Sequence, residues 1–518
     1  MDRPGDARIV VIGAGMGGLS AAVALASAGL CVTLVEAGPG PGGKMRTLPS
    51  PAGPVDAGPT VLTMKPVFEA LFDLAGARIE EHLRLIPQPV LARHWWADGS
   101  TLDLHADPRA TVEAIAAFAG LREAAAFRRF HASSAAAFAA FAQTVIHAAR
   151  PRPGRIALAA LQRPAAWPLL LPGLSLARAL SLGFADPRLR QLFGRYATYV
   201  GGSPFAAPAV LALIWQAEAQ GVWAVEGGMN RLARALTALA AQRDVGMIWN
   251  STVVRIVRQG GRVAGVVLAD GRRLPASQVV FNGDPAALRR GLLGDAPRGI
   301  LPARATDPRS LSARVLTFAA EARGLPLIHH NLLFADDARA EFSALSCGMP
   351  PRDATLYLCA QDRAGGARTG PERFQIILNA PPGVAENPEE DERCHRQIVQ
   401  RLDRFGLRLT PVPGPDAMTA PSDFARLFPG SGGAIYGRSP ESLLATFLRP
   451  TARTALPGLY LAGGGVHPGA GVPMATLSGM RAAEAILDDL ALRSRSGRTA
   501  MPGGMSTGSR TTGAAPSR

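Results

Sequence analysis

Residues 9–12 form an uninterrupted apolar run that opens into Gly13-Ala14-Gly15-Met16-Gly17-Gly18, continues as an alanine-rich stretch, and returns as Cys31-Val32-Thr33-Leu34-Val35 before Glu36. Short apolar runs bounded by glycine predict buried strands, and the alanine-rich stretch between them predicts a helix. The pattern over 9–36 is therefore strand, glycine loop, helix, strand. In such a unit Gly13 makes the tight turn, Gly15 lets the backbone approach a pyrophosphate, and Gly18 lets the helix pack closely on the strand. The helix N-terminus supplies positive potential to the phosphates, with Ala14 and Gly17 in the same loop. Glu36 arrives about 20 residues after the loop, where an acid holds a ribose hydroxyl.

The same residues carry no charge from 9 to 35, a run longer than the ~20 residues that span a bilayer, and Arg3, Arg8 and Ala26-Ser27-Ala28 imitate a secretory signal. The glycine placement argues against both readings, because these glycines weaken a membrane helix but are each needed by a phosphate turn.

Downstream, Gly42-Gly43-Lys44-Met45-Arg46 forms a glycine-rich turn with a basic end, placed to pass close under a second phosphate or a flavin ring. Trp95 and Trp96 precede Ala97-Asp98-Gly99-Ser100, a predicted hairpin turn. Residues 109–148 show helical spacing of Ile115, Phe118, Phe127, Phe130, Phe138 and Phe141. The uncharged segment 164–177 holds prolines that exclude a continuous transmembrane helix. It is predicted to lie in a membrane interface or to form a buried loop or lid. Residues 230–241 read as an amphipathic helix, and 248–256, 263–268 and 274–282 as strands of a β-meander turned by Gly260-Gly261 and Asp270-Gly271. Strands over 314–319, 355–359 and 374–378 and a helix around 391–405 predict an α+β region. At 458–474 a strand again meets a glycine-rich turn and a helix start, with Pro473 in the first turn and the helix running to about 492. The acid-free tail after Arg493 reads as disordered.

Length predicts roughly two to three domains. The formal charge is +15, carried almost entirely by scattered arginines, with Lys44 and Lys65 the only lysines. No basic recognition helix or aromatic-interleaved basic run is present, so no nucleic-acid partner is expected; attraction to anionic lipid remains open. Cys31, Cys347, Cys359 and Cys394 show no metal-ligand spacing and are expected to be reduced and buried, in a cytoplasmic protein with no metal.

Two glycine-rich helix starts at opposite ends of the chain, joined by a meander, resemble the two-domain fold of flavin amine oxidases and carotenoid desaturases. Residues 458–478, including His467-Pro468-Gly469-Ala470-Gly471, match the signature of bacterial-type phytoene dehydrogenases and depart at Val466, where Thr or Ala is usual. Asp56-Ala57-Gly58-Pro59-Thr60, 432–437 and Leu448-Arg449-Pro450 also look like this family. Gly464 stands where amine oxidases usually carry an aspartate, and the cysteine motif of covalent flavin attachment is missing. Residues 38–63, 221–223 and the C-terminal run look closest to the hydroxycarotenoid 3,4-desaturase branch.

The resemblance implies an α/β, Rossmann-like FAD-binding domain assembled from 1–105, 216–290 (the meander) and 446–492. A helical, membrane-facing part would occupy 106–215, an α+β substrate domain 291–445, and a tail 493–518. It implies FAD as cofactor, held by Gly13, Ala14, Gly15, Gly17, Gly18, Glu36, Gly42, Gly43, Lys44, Arg46, Val253, Gly463, Gly464, Gly471, Val472 and Met474. Desaturation of an acyclic carotenoid at a membrane surface follows, with 3,4-desaturation of 1-hydroxycarotenoids first and phytoene desaturation or isomerisation as sister reactions. A flavin amine oxidase is the alternative from another class. His467 is the one candidate catalytic side chain, either donating to the flavin or fixing its loop; no acid or base and no terminal electron acceptor can be assigned.

Overall fold

The computed structural model describes residues 7–365, 370–442 and 444–499. The opening pattern folds as a strand Arg8–Ile12, a helix Met16–Ser27 and a strand Cys31–Val35, so the uncharged run is a nucleotide-type unit. Among the described residues no helix is long and apolar enough to cross a membrane. Arg3 lies outside the described residues.

These strands centre a five-stranded parallel sheet in the order Leu459–Leu461, Gln278–Phe281, Arg8–Ile12, Cys31–Val35, Gly246–Ile248. Elements from both ends and the middle of the chain thus meet in one sheet. Val11, Leu19, Ala21, Ala22 and Leu34 are fully buried in the core between this sheet and its helices. The C-terminal helix, Val472–Thr499, crosses Met16–Ser27 so closely that a Cβ on Gly479 would fall 2.1 Å from the Gly17 carbonyl oxygen. This helix continues past 492 into the segment expected to be disordered; 500–518 lie outside the described residues.

Two strands expected to be continuous are broken, each for a local reason. Residues 248–256 divide into Gly246–Ile248 of the parallel sheet and Val253–Gln259 of the meander. Asn250 sits between them at φ 51, a left-handed conformation that Asn tolerates, and redirects the chain. Residues 274–282 divide into Arg273–Pro275 and Gln278–Phe281; Pro275 has no N–H to extend the ladder and ends the edge strand. The meander is antiparallel, in the order Val253–Gln259, Arg262–Leu268, Arg273–Pro275.

A second, eight-stranded sheet runs Arg408–Thr410, Ser312–Arg323, Glu372–Ala380, Leu356–Ala360, His330–Leu333, Val90–Trp95, Thr101–His105, with Met418–Thr419 beside Ser312–Arg323. The hairpin Val90–Trp95/Thr101–His105, grouped above with the first nucleotide-binding segment, belongs to this sheet through parallel pairing of Asn331 with Arg93 and Leu333 with Trp95. The connecting strand His330–Leu333 is four residues long and buried throughout, too short and too uniformly enclosed to leave a period in the sequence.

Between the hairpin and the meander lies the helical part. Helices Pro108–Ala119 and Leu121–Phe141 are separated by Gly120 at φ 92, a conformation other residues adopt only with strain. Helices Pro153–Leu161, Trp167–Leu170, Leu176–Gly183 and Pro187–Gly194 follow. Its interior is aromatic: Phe130 and Phe193 ring centres are 4.7 Å apart, Phe184 and Phe193 5.3 Å, and Trp215 meets Phe127 edge-on at 5.9 Å. All four cysteines are free, but only Cys359 and Cys394 are buried; Cys31 and Cys347 are exposed. Cys31 is the first residue of its strand.

Candidate functional site

The first glycine loop is built by close backbone packing. Gly13 has φ 97, and a Cβ on Gly18 would fall 1.9 Å from the Gly13 carbonyl oxygen, so helix and turn can touch only through hydrogen. Asn282, which follows the strand Gln278–Phe281, donates from Nδ2 to the Gly13 carbonyl at 3.1 Å. Its side-chain oxygen lies 2.6 Å from a Cβ built on Gly17 and 2.8 Å from one built on Gly463. One asparagine therefore joins the N-terminal and C-terminal glycine loops. Helix Met16–Ser27 has no acidic residue in its first turn and no capping side chain on Gly15, which leaves its N-terminal N–H groups and positive end available to an anion.

Glu36 stands at the loop. Its carboxylate accepts from the Ala14 N–H at 2.6 Å and from the Gly38 N–H at 2.8 Å. Its backbone pairs with Ile248 and Ser251, which brings the start of the meander and Val253, nearly buried, to the same end. Gly42 donates its N–H to the Ala14 carbonyl at 2.9 Å, and a Cβ on Gly43 would come 3.1 Å from the Gly15 Cα, so the second glycine turn lies flat on the first. Asn230 ties this turn down by donating to the Met45 carbonyl at 2.6 Å, while the Asp56 carboxylate accepts from the backbone N–H groups of Met229 at 2.5 Å and Asn230 at 3.3 Å.

Lys44 donates to the Ile435 carbonyl at 2.5 Å and lies over the Phe428 ring. Its side chain has accessible surface although protein surrounds it, the combination found in a group lining an internal cleft. Burial, helped by the nearby Arg309 and Arg449 charges and opposed by Asp284, lowers its ammonium pKa to about 8. Arg46 is turned toward the eight-stranded sheet: it donates to Thr419 Oγ1 at 2.7 Å and stacks over Phe424.

At the other end, Gly463 has φ 102 and donates its N–H to Ser478 Oγ at 2.7 Å, and the Gly464 carbonyl accepts from Arg449 at 3.0 Å. Gly471, at φ 113, leads into the C-terminal helix, whose first turn contains Val472 and Met474 and no acid. Met474 packs beside Met64 and Leu477. His467 is buried; its Nε2 lies 2.9 Å from the Ala148 carbonyl and its Nδ1 has no partner. The ring ties the loop to the end of the helical part, and burial lowers its pKa.

Several groups that complete this cradle have no role assigned from the sequence: Asn282 and Asn230, and also Asp56 and Arg449, which stand in family-like motifs. For the two asparagines the visible signal is position, polar residues beside glycines, as in Asn282-Gly283 and Gly228-Met229-Asn230. On the eight-stranded sheet, His329, His330 and Cys359 bring their ligand-type atoms within 4.8 Å of one another, a grouping that sequence spacing does not reveal. Burial raises the Cys359 thiol pKa and lowers those of both imidazoles, so the group is a neutral buried cluster.

The sequence profile described as flavin containing amine oxidoreductase matches residues 16–487. The chain belongs to this family. It is 61% identical over 94% of its length, and 99% of the relative's, to a hydroxyneurosporene desaturase of Cereibacter sphaeroides. It is 54% identical to the corresponding protein of Rhodobacter capsulatus, over 93% of this chain and 98% of that one. Among solved structures, a putrescine oxidase variant aligns over 94% of this chain and 99% of its own at TM-score 0.58 and 16% identity, a likeness of fold.

The cradle fits FAD, the family's cofactor. Two helix N-termini free of acids face the meeting point of the glycine loops, and glycines stand where a Cβ would fill the space beside the backbone. Gly13 to Gly18, Glu36, Gly42 and Gly43 would hold the ADP end, and Gly463, Gly464, Gly471, Val472 and Met474 the flavin end. Bound FAD supplies a hydride acceptor.

Proposed function

We propose that this protein is a membrane-associated, FAD-dependent desaturase that introduces a C–C double bond into an acyclic carotenoid, forming the 3,4 double bond of 1-hydroxycarotenoids such as 1-hydroxyneurosporene. The observation that carries this reading is the 61% identity over nearly the whole of both chains to a hydroxyneurosporene desaturase. Desaturation takes a hydride and a proton from neighbouring carbons. The chain's own part is to hold those carbons in register and to place positive potential at the flavin end. The acid-free first turn at Val472, with the Gly471 and Val472 N–H groups, suits the second task. His467, tied to Ala148, serves the loop's position.

A polyene of this class is insoluble: each buried CH₂ is worth roughly 0.8 kcal/mol, which forbids transfer through water and requires collection from a lipid phase. The segment expected to face a membrane supports this. In and around Pro153–Leu161, Trp167–Leu170 and Leu176–Gly183, the side chains of Leu158, Leu161, Trp167, Leu171 and Leu182 are 49–68% exposed, among Arg155, Arg163 and Arg178. Apolar side chains between arginines suit the headgroup boundary of an anionic bilayer.

The test supplies 1-hydroxyneurosporene, neurosporene and phytoene separately in liposomes and follows the absorption spectrum. A red shift with the hydroxylated substrate is expected. Conversion of phytoene instead would move the protein to the sister reaction, and amine consumption with peroxide release would overturn the desaturase reading.

A further inference from the structure

Outside the cofactor cradle, the eight-stranded sheet gathers one group of metal-ligand side chains from neighbouring strands. His330 and Cys359 stand directly opposite each other where His330–Leu333 pairs antiparallel with Leu356–Ala360, so their side chains share a face of the sheet. His329 precedes the first of these strands, and its ring centre lies 4.4 Å from that of His330. One ligand-type atom from each of His329, His330 and Cys359 lies within 4.8 Å of the other two, and all three residues are buried. His329 Nε2 and Cys359 Sγ are 3.8 Å apart. Among the described residues no other group of His, Cys, Asp and Glu comes together in this way.

The surroundings of these side chains suit ligation. His329 Nδ1 lies 3.1 Å from the Ala360 carbonyl, which can only accept, so Nδ1 carries the proton and Nε2 keeps its lone pair on the side of the sulfur. A carbonyl behind the ligand nitrogen is the usual outer support of a metal-bound histidine. His330 Nδ1 lies 2.7 Å from the Tyr357 hydroxyl, itself 2.6 Å from Thr60 Oγ1, and His330 Nε2 has no partner. Burial keeps both imidazoles neutral and the thiol protonated, so a metal ion finds two ligands ready and displaces one proton, from Cys359 to solvent. Around a tetrahedral zinc ion, ligand atoms stand about 3.3–3.6 Å apart. The His329–Cys359 pair is within about 0.2 Å of that spacing, and His330 joins by closing no more than about 1.5 Å. An ion enclosed by its ligands needs no solvent-facing surface at the ligand atoms, because the site forms around it as the strands assemble.

We infer that His329 Nε2, the Cys359 thiolate and a ring nitrogen of His330 form a binding site for a thiophilic metal ion of the zinc class, with the Tyr357 hydroxyl beside it. A thiolate with two imidazoles suits zinc and not the oxygen-seeking magnesium or calcium. The expectation of a metal-free protein rested on spacing along the chain, whereas these ligands are brought together across paired strands 30 residues apart. The ion joins His330–Leu333 to Leu356–Ala360 where the sheet meets the segment beneath the cofactor turn. Two residues beyond Cys359, the Gln361 amide donates to the Asp56 carbonyl and accepts from the Asp56 N–H, both at 3.0 Å. The site is therefore a structural clip between the sheet and that segment.

The experiment uses the full chain with FAD bound, produced in zinc-supplemented medium in a Cys31→Ser/Cys347→Ser background, which removes the exposed thiols. After gel filtration, elemental analysis should find about one zinc ion per chain, and zinc K-edge X-ray absorption should show one sulfur at about 2.3 Å among lighter atoms at about 2.0 Å. Cys359→Ser and His329→Gln should each lower the retained zinc about tenfold or more. Cys394→Ser, at a buried thiol on helix Pro388–Arg404 outside the cluster, should retain it. Failure of Cys359→Ser to fold leaves His329→Gln and the sulfur signal of the parent protein to decide. A folded parent without zinc, zinc content unchanged in Cys359→Ser, or a first shell without sulfur overturns the site and leaves the three residues as a hydrogen-bonded core group.

Discussion

Replacing Gly18 by alanine probes whether the close contact between helix and turn is what holds the cofactor loop. The added Cβ would lie 1.9 Å from the Gly13 carbonyl oxygen, and a backbone atom of a tight turn cannot swing aside as a side-chain tip can. Reaching even a 3.0 Å contact requires helix and turn to separate by about 1 Å, and overpacking of this kind costs roughly 1–3 kcal/mol. That separation moves the carbonyl that accepts from Asn282 and the N–H groups that would hold the pyrophosphate of FAD, so much of the cost falls on the bound state. At 1.36 kcal/mol per decade, FAD affinity should fall about 10- to 100-fold. Gly40 is the matched control, since a Cβ there meets nothing within 4 Å, and its alanine variant should bind normally. Fluorescence titration of the apoprotein with FAD reads both variants. Equal FAD affinity in the Gly18→Ala and Gly40→Ala proteins would refute the packing argument.

Lys44 should make stability depend on pH. Its folded pKa, about 8, is lower than its ordinary value of 10.5, so between those pH values the unfolded chain binds more protons and the folded protein gains stability as pH rises. Denaturation midpoints of the FAD-free protein, compared with Lys44→Met from pH 7.5 to 10.5, should shift in favour of the unaltered protein over that window; a constant difference contradicts a crowded, depressed ammonium. Changing Leu161, Leu171 and Leu182 together to serine should abolish liposome binding with FAD content intact, because these side chains are exposed and far in sequence from the cradle. Retained sedimentation with liposomes would remove this face from consideration as the membrane contact.

A dinucleotide half-site was legible from residues 9–36 alone, because a phosphate turn needs glycines at fixed spacing and the flanking strands are continuous apolar runs; Gly42-Gly43 and 463–474, legible for the same reason, narrowed the reading to FAD. Local rules of this kind act within a few residues of chain, and the sequence carries them directly. The sheet order, the separation of 248–256 and 274–282 into strands of different sheets, and the joining of Val90–His105 to a strand more than 200 residues away were decided by tertiary pairing. So were the roles of Asn282, Asn230 and Asp56, each a single polar residue whose partners are backbone groups distant in sequence. The His330–Tyr357 hydrogen bond lies on that second side as well: it exists because His330–Leu333 and Leu356–Ala360 pair as neighbouring strands, and no spacing along the chain encodes it. Backbone turns write their requirements into neighbouring residues, whereas a buried polar network is specified only once the fold has brought its members together.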